Sequence, residues 1–270
     1  MKISGKTKVV GLFGYPVEHS LSPAMHNAAF EHLNLDYCYV TFSVRPELLE
    51  HAVEGIGALN LRGVNVTVPH KEKVIPFLDR MNEEASFIGA VNTILNSDGV
   101  LVGFNTDGRG FMESLAEAGI ALSGKTVLVI GAGGACRAIS YYLSQKAASL
   151  LIFDIDENKV SGLVGDLSAI RSNVSRAGNL ESLHGADIVI NASPLGMKDN
   201  DPPPLNLSLI TGKITVCDLI YKETPLLRAA SEKGCKTLNG LGMLLHQGVL
   251  AFELWTGIKP PVKIMRAAIT

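Results

Sequence analysis

The sequence predicts an α/β protein of two domains, on three observations. A β-favouring run, Val127-Leu128-Val129-Ile130, leads directly into the glycine-rich turn Gly131-Ala132-Gly133-Gly134, and helix-compatible residues follow from Ala135 to Leu143. Apolar runs recur at 126–130, 149–154, 187–192 and 214–219 with helical segments between the earlier ones, the alternation of a parallel, doubly wound sheet. A separate set of strand-like runs precedes this unit, and 270 residues leave room for about two cores.

In the first part, strands are predicted at 8–14, 37–44, 63–68, 90–95 and 100–105. Ser20-Leu21-Ser22-Pro23 precedes a helical pattern from Ala24 to Leu33, with proline in the first turn and Ser22 expected at the cap. Capping does not account for Ser20, and a second hydroxyl beside a helix N-terminus makes a seat for a carboxylate. In the strand before Pro69, Val64, Val66 and Val68 are expected on one face and Asn65 and Thr67 on the other. Pro69 ends the ladder. Lys71 then emerges past the carboxyl end of the strand, where ligands of open α/β sheets gather. By spacing alone it equally suits a surface lysine in the run Lys71-Glu72-Lys73.

Ser97-Asp98-Gly99 reads as a hairpin turn, and Asn105-Thr106-Asp107-Gly108 as a turn ahead of the next helix. Asp201-Pro202-Pro203-Pro204 is a loop within the second part. Met243 to Trp255 has helical spacing with Met243, Leu250 and Leu254 on one stripe. Gln247 shares that stripe, either reaching water near the helix start or pointing a donor and acceptor into a cleft.

The glycine turn carries the first functional inference. Backbone N–H groups at Gly131, Ala132, Gly133, Gly134 and Ala135 can approach a pyrophosphate at the start of the following helix. An acid about 20 residues on, here Asp154, can hold a ribose diol. This is the pattern of a Rossmann-like dinucleotide site, with Cys136 standing where a third small residue is usual.

Charge and composition exclude other classes. With 24 basic and 26 acidic residues nothing points to nucleic acid or an anionic membrane. The polar start Met1-Lys2-Ile3-Ser4-Gly5-Lys6-Thr7-Lys8 has no hydrophobic leader and no apolar run approaches a membrane span, so a cytoplasmic protein is expected. Cys38, Cys136, Cys217 and Cys235 are too far apart for a Cys-x-x-Cys pair and are expected to be buried thiols. No two histidines stand at i, i+4 on one helix, so no metal site is expected.

Taken together, Ser20-Leu-Ser-Pro23, Asn65-Val-Thr-Val-Pro-His-Lys71, Gly89-Ala-Val-Asn-Thr93, Asn105-Thr-Asp-Gly108 and the Gly131 turn occur in the order seen in the shikimate dehydrogenases. Asn191-Ala-Ser-Pro-Leu-Gly-Met197, Asp218-Leu-Ile-Tyr221, Asn239-Gly-Leu-Gly-Met243 and Gln247-Gly248 also resemble that family, so the similarity spans nearly the whole chain. The resemblance implies a substrate domain of residues 1–108 plus 239–270, with the C-terminal helices returning to it, and a dinucleotide domain of residues 109–238. It implies hydride transfer between a nicotinamide and C3 of a cyclohexene carboxylate, interconverting 3-dehydroshikimate and shikimate. Ser20 and Ser22 would take the carboxylate with Tyr221 assisting. Asn65, Thr67, Asn92, Asp107 and Gln247 would read ring hydroxyls. Lys71 and Asp107 would flank the reacting oxygen, and Gly240 would join the cofactor contacts. A small-molecule substrate and a monomer or homodimer are expected.

One segment departs from the family pattern. Members using the phosphorylated cofactor commonly carry an Asn-Arg-Thr-like segment where this chain has Asp154-Ile155-Asp156. NAD is therefore the expected cofactor, with NADP the alternative. The departure also admits a quinate/shikimate dehydrogenase. A related folate or amino-acid dehydrogenase, or a non-catalytic dinucleotide-sensing protein of the same fold, is disfavoured by Lys71 and Asp107.

Overall fold

The computed structural model describes residues 2–181 and 183–270, and these divide into two compact units. Residues 1–106 with 247–270 form one, and Asp107–His246 the other. The divisions fall at Thr106/Asp107 and His246/Gln247, against predicted boundaries near 108 and 239.

The first unit holds a mixed sheet of strands β1 (Lys8–Gly14), β2 (Tyr37–Ser43), β3 (Gly63–Val66), β4 (Arg80–Met81), β5 (Thr93–Ser97) and β6 (Val100–Phe104). Their order is β2-β1-β3-β5-β6-β4. β1 pairs in parallel with both β2 and β3, whereas β5 runs antiparallel to β3 and β6. The reversal is made by a tight turn: Asp98 and Gly99 have φ of 53° and 92°, the left-handed pair that matches hairpin twist. Helices α1 (Ser22–His32), α2 (Leu49–Ala58) and α3 (Glu83–Ile88) connect the strands. A core built on Val53, Ile56, Val64, Val66, Val91 and Ile94 fills one side.

The second unit begins with α4 (Asp107–Glu117) and continues through β7 (Thr126–Ile130), α5 (Gly134–Lys146), β8 (Ser149–Phe153), α6 (Glu157–Ser168), β9 (Val174–Arg176), β10 (Ile188–Asn191), β11 (Thr215–Asp218), α7 (Pro225–Glu232) and β12 (Lys236–Leu238). Every pairing is parallel, in the order β12-β11-β10-β7-β8-β9. The order reverses at β7, so the sheet is doubly wound with its topological switch point at the carboxyl end of that strand. Val127, Leu128, Val129, Leu150 and Ile152 are all fully buried, as a sheet covered on both faces requires.

Helix α8 (Leu241–Thr256) contains the second division, and α9 (Val262–Ala267) packs on α1. In the first-unit part of α8 the buried residues are Gln247, Gly248, Ala251, Phe252 and Trp255. The predicted stripe through Leu250 and Leu254 is therefore displaced by about one position, and both leucines are half-buried. Among the described residues no helix is long and apolar enough to cross a membrane.

Candidate active site

In the first unit, polar side chains gather beside β3. Asn65 is 4% exposed although it lies in a sheet core, so its polar atoms must be satisfied internally. Its Oδ1 accepts from the Tyr39 hydroxyl at 2.8 Å, while its Nδ2 donates to Thr93 Oγ1 at 3.0 Å and to Asn92 O at 3.2 Å. Asn92 extends the network, its Nδ2 donating to Thr106 Oγ1 at 2.9 Å and its Oδ1 accepting from Thr106 N at 2.8 Å. Such a web holds each rotamer before any ligand arrives.

Ser20 and Ser22 reach this region from the turn before α1. Ser22 is buried and is the first residue of the helix, Leu21 standing at the cap without a side-chain bond. The expected capping role of Ser22 is thus corrected: its backbone N donates to Ser20 Oγ at 3.2 Å. The strand also ends sooner than predicted. The ladder stops at Val66, so Thr67, half-buried, and Val68, 67% exposed, lie beyond it. Val68 does not share the buried valine face.

Lys71 sits half-buried in the turn after Pro69, and its carbonyl accepts from Val91 N at 2.8 Å, which ties the turn to the segment leading to Asn92. The neighbouring His70 is fully buried and donates Nε2–H to Val44 O at 2.7 Å. Gln247 is buried on α8. Ser20, Ser22, Asn65, Thr67, Lys71, Asn92 and Gln247 thus belong to one unit, whereas Asp107 and Tyr221 belong to the other. Asp107 is 4% exposed and opens α4, where the helix dipole favours a carboxylate. Tyr221 is 44% exposed, just after β11.

In the second unit, Gly131 ends β7 with φ of 114°, and a Cβ there would stand 2.8 Å from the backbone carbon and oxygen of Ala192. Only glycine fits. Beyond it, Gly133 and Gly134 open α5 with nothing within 4 Å of a Cβ on Gly133, which leaves the helix N-terminus accessible to a pyrophosphate. Ala132 and Ala135 complete that turn, and Cys136 is fully buried beneath it, burial pushing its thiol up to about 12. Gly240 donates its N–H to Ile220 O at 3.0 Å, and its Cα faces Leu219 O too closely for any side chain. The residues present therefore fit a dinucleotide.

A polar cluster that the sequence did not announce orders the carboxyl ends of β10 and β11. Asp218, 1% exposed, accepts from Asn191 Nδ2 at 3.1 Å, Ile220 N at 3.0 Å and Thr224 Oγ1 at 2.8 Å. Burial raises its carboxyl above the usual range against the pull of these bonds. The bonding roles of Tyr39 and Thr93 were equally hidden, since a tyrosine or threonine in a strand carries no signal beyond β-propensity.

Known proteins bear on this geometry. Residues 12–94 match the family model for the shikimate dehydrogenase substrate binding domain, and residues 240–270 that for the shikimate 5'-dehydrogenase C-terminal domain. A shikimate dehydrogenase (NADP(+)) of Desulforamulus reducens is 48% identical over 98% of this chain and 95% of its own length. A crystal structure of a shikimate dehydrogenase in complex with NADP+ superposes with a TM-score of 0.93 at 41% identity, covering 99% of this chain and 96% of that one. The Thermus thermophilus enzyme in complex with NADP(H) and shikimate gives 0.90 at 38% identity, covering 97% and 98%.

These relatives overturn the expectation of NAD, because they carry the phosphorylated cofactor in their names or in their crystals. The side chains supply a physical reason. Asp154 is occupied by its own backbone: Oδ2 accepts from Ala132 N at 2.7 Å and Oδ1 from Asp156 N at 2.9 Å. Asp156 caps α6, accepting from Asn158 N and Lys159 N. Both carboxylates serve the turn and the helix, so their presence in the sequence is no measure of ribose selection. With 48% identity to the Desulforamulus reducens relative over 98% of its length, the chain belongs to the shikimate dehydrogenase family.

Proposed function

We propose that this protein interconverts 3-dehydroshikimate and shikimate with NADP as partner, a step of aromatic amino-acid biosynthesis. The observation that carries the reading is the buried web around Asn65 and Asn92 with Lys71 tied to the same segment through Val91. A preset array of donors and acceptors suits a ring bearing several hydroxyls, since a buried site left unpaired by the wrong ring is penalised.

The nicotinamide supplies or removes the hydride when bound. In reduction negative charge grows on the substrate oxygen, and Lys71 stabilises it and delivers the proton. In oxidation Lys71 takes the proton back. Asp107 holds the lysine and a substrate hydroxyl. Ser20 and Ser22, with Tyr221 assisting, receive the carboxylate, while Asn65, Thr67, Asn92 and Gln247 read the ring hydroxyls. The backbone from Gly131 to Ala135 takes the pyrophosphate, with Gly240 supporting the adjoining segment. Lys159 is assigned to the 2′-phosphate: its ammonium lies 3.6 Å from Asp156 Oδ2 in an exposed pair that is easily exchanged. The four buried free thiols support a reducing, cytoplasmic setting.

The test is steady-state kinetics with shikimate and quinate, each with NAD and NADP. The highest kcat/KM is expected for shikimate with NADP. Turnover of quinate at equal or higher kcat/KM would move the protein to the quinate/shikimate branch, and no turnover of either acid would remove the assignment.

A further inference from the structure

Tyr39 is 1% exposed and has no task in the mechanism above, yet helix α1 and strand β3 both converge on it. Asn27 of α1 clamps its backbone in both directions, Nδ2 donating to Tyr39 O at 2.9 Å and Oδ1 accepting from Tyr39 N at 2.8 Å. The His26 ring lies flat against the phenol with centroids 4.5 Å apart and parallel planes. Burial pushes His26 down to about 3, so the stack is neutral. The phenol hydroxyl then donates to Asn65 Oδ1 at 2.8 Å.

A phenol has one proton to give. Here that proton is given to Asn65 Oδ1. The Asn65 amide nitrogen is turned toward Thr93 Oγ1 and Asn92 O. The Tyr39 hydroxyl thus sets the direction in which Asn65 presents its amide, and Asn65 is assigned to a ring hydroxyl of the substrate.

We propose that Tyr39 is a positioning residue for the acid substrate, its hydroxyl holding Asn65 in the orientation that reads a ring hydroxyl. The inference rests on the function proposed above. Without the hydroxyl, binding has to order the Asn65 side chain, and that cost falls on substrate affinity while the proton transfer at Lys71 is untouched.

Tyr39→Phe removes the hydroxyl and keeps the ring on His26. Phe30→Leu is the packing control, because Phe30 stacks on Phe252 at 4.8 Å and on Tyr37 at 5.1 Å without bonding to any site residue. Kinetics are read well below the lower of the two Tm values. Tyr39→Phe is expected to raise KM for shikimate by about 3- to 12-fold, the worth of one hydrogen bond, with kcat within about threefold and KM for NADP unchanged. In the Tyr39→Phe background the effect of Asn65→Ala on that KM should shrink, a coupling that a merely structural role would not produce. Phe30→Leu should lower Tm and leave KM in place. A wild-type KM in Tyr39→Phe, or strictly additive effects with Asn65→Ala, would overturn the inference alone. Absence of shikimate turnover in the wild type would remove the functional reading and the inference with it.

Discussion

At the carboxyl end of β3 the first unit offers side chains, and at the carboxyl end of β7 the second offers backbone. Asn65, Asn92, Thr93, Thr106 and Tyr39 satisfy one another through bonds of 2.8–3.2 Å, so the first site is specified by the identity of each polar group. The Gly131 turn is specified by what it lacks, since a single added carbon would strike Ala192. A hydroxylated ring presents a distinct donor and acceptor at each position and needs matched side chains to be recognised. A pyrophosphate presents the same charge in every dinucleotide, and oriented N–H groups at a helix start suffice. The first site should therefore fail when a polar group is removed, the second when a methyl group is added.

The largest effect is expected at the reacting oxygen. Lys71→Ala should lower kcat by about 100- to 10,000-fold with a much smaller change in KM, measured in the direction of shikimate oxidation. A kcat near the wild-type value would leave the side-chain site without its acid and base. In the second unit, Gly131→Ala combines a left-handed backbone with a steric clash and should cost about 2–4 kcal/mol in urea unfolding. Gly133→Ala, at φ of −78° with open space around it, should stay within about 0.5 kcal/mol. Equal costs at the two glycines would contradict a turn defined by missing carbons.

Smaller effects sharpen the contrast. His26 is fully buried and its folded pKa, about 3, lies below its unfolded value near 6.5. The unfolded chain therefore takes up the proton first, so stability is complete above about pH 6.5 and declines as pH falls toward 3. The slope approaches about 1.4 kcal/mol per pH unit. Urea unfolding at pH 7.5 and 5 should show this decline, and His26→Phe should flatten it. No change in slope would mean that the aromatic interior of the first unit admits a charge. Finally, Lys159→Ala should raise KM for NADP by about fivefold and leave KM for shikimate alone. An unchanged KM for NADP would place the 2′-phosphate elsewhere.

Central strands were legible because each is a run of buried apolar residues, and β7, β8, β10 and β11 fall within the predicted runs. The strands that escaped notice, Arg80–Met81, Val174–Arg176 and Lys236–Leu238, all lie at sheet edges, where at most one residue of each is buried and no periodicity develops. At the site, Asn65 stood out as a polar residue in an apolar strand. Tyr39 did not, because a tyrosine among β-branched neighbours looks like core until the partner of its hydroxyl is seen. Asp154 misled for the converse reason: a carboxylate after β8 suggests a ribose partner, and only the three-dimensional turn reveals that Ala132 and Asp156 already claim its oxygens.

The last pieces of the first unit come from the far end of the chain. Trp255 on α8 donates from its indole to Ile94 O, 161 residues away, and its own carbonyl accepts from Arg62 Nε across 193 residues and from the Tyr37 hydroxyl across 218. The second unit needs no such wait, since its residues 107–246 are contiguous. On a ribosome, where chain emerges from the N-terminus onward, the unit written second has all its parts available first. The unit written first must keep the face that α8 covers open until that helix emerges, leaving Phe30 without Phe252 and Tyr39 without Trp255 for the whole synthesis of its neighbour. That interval is the stage at which the nascent protein is most open to capture by chaperones or by other chains.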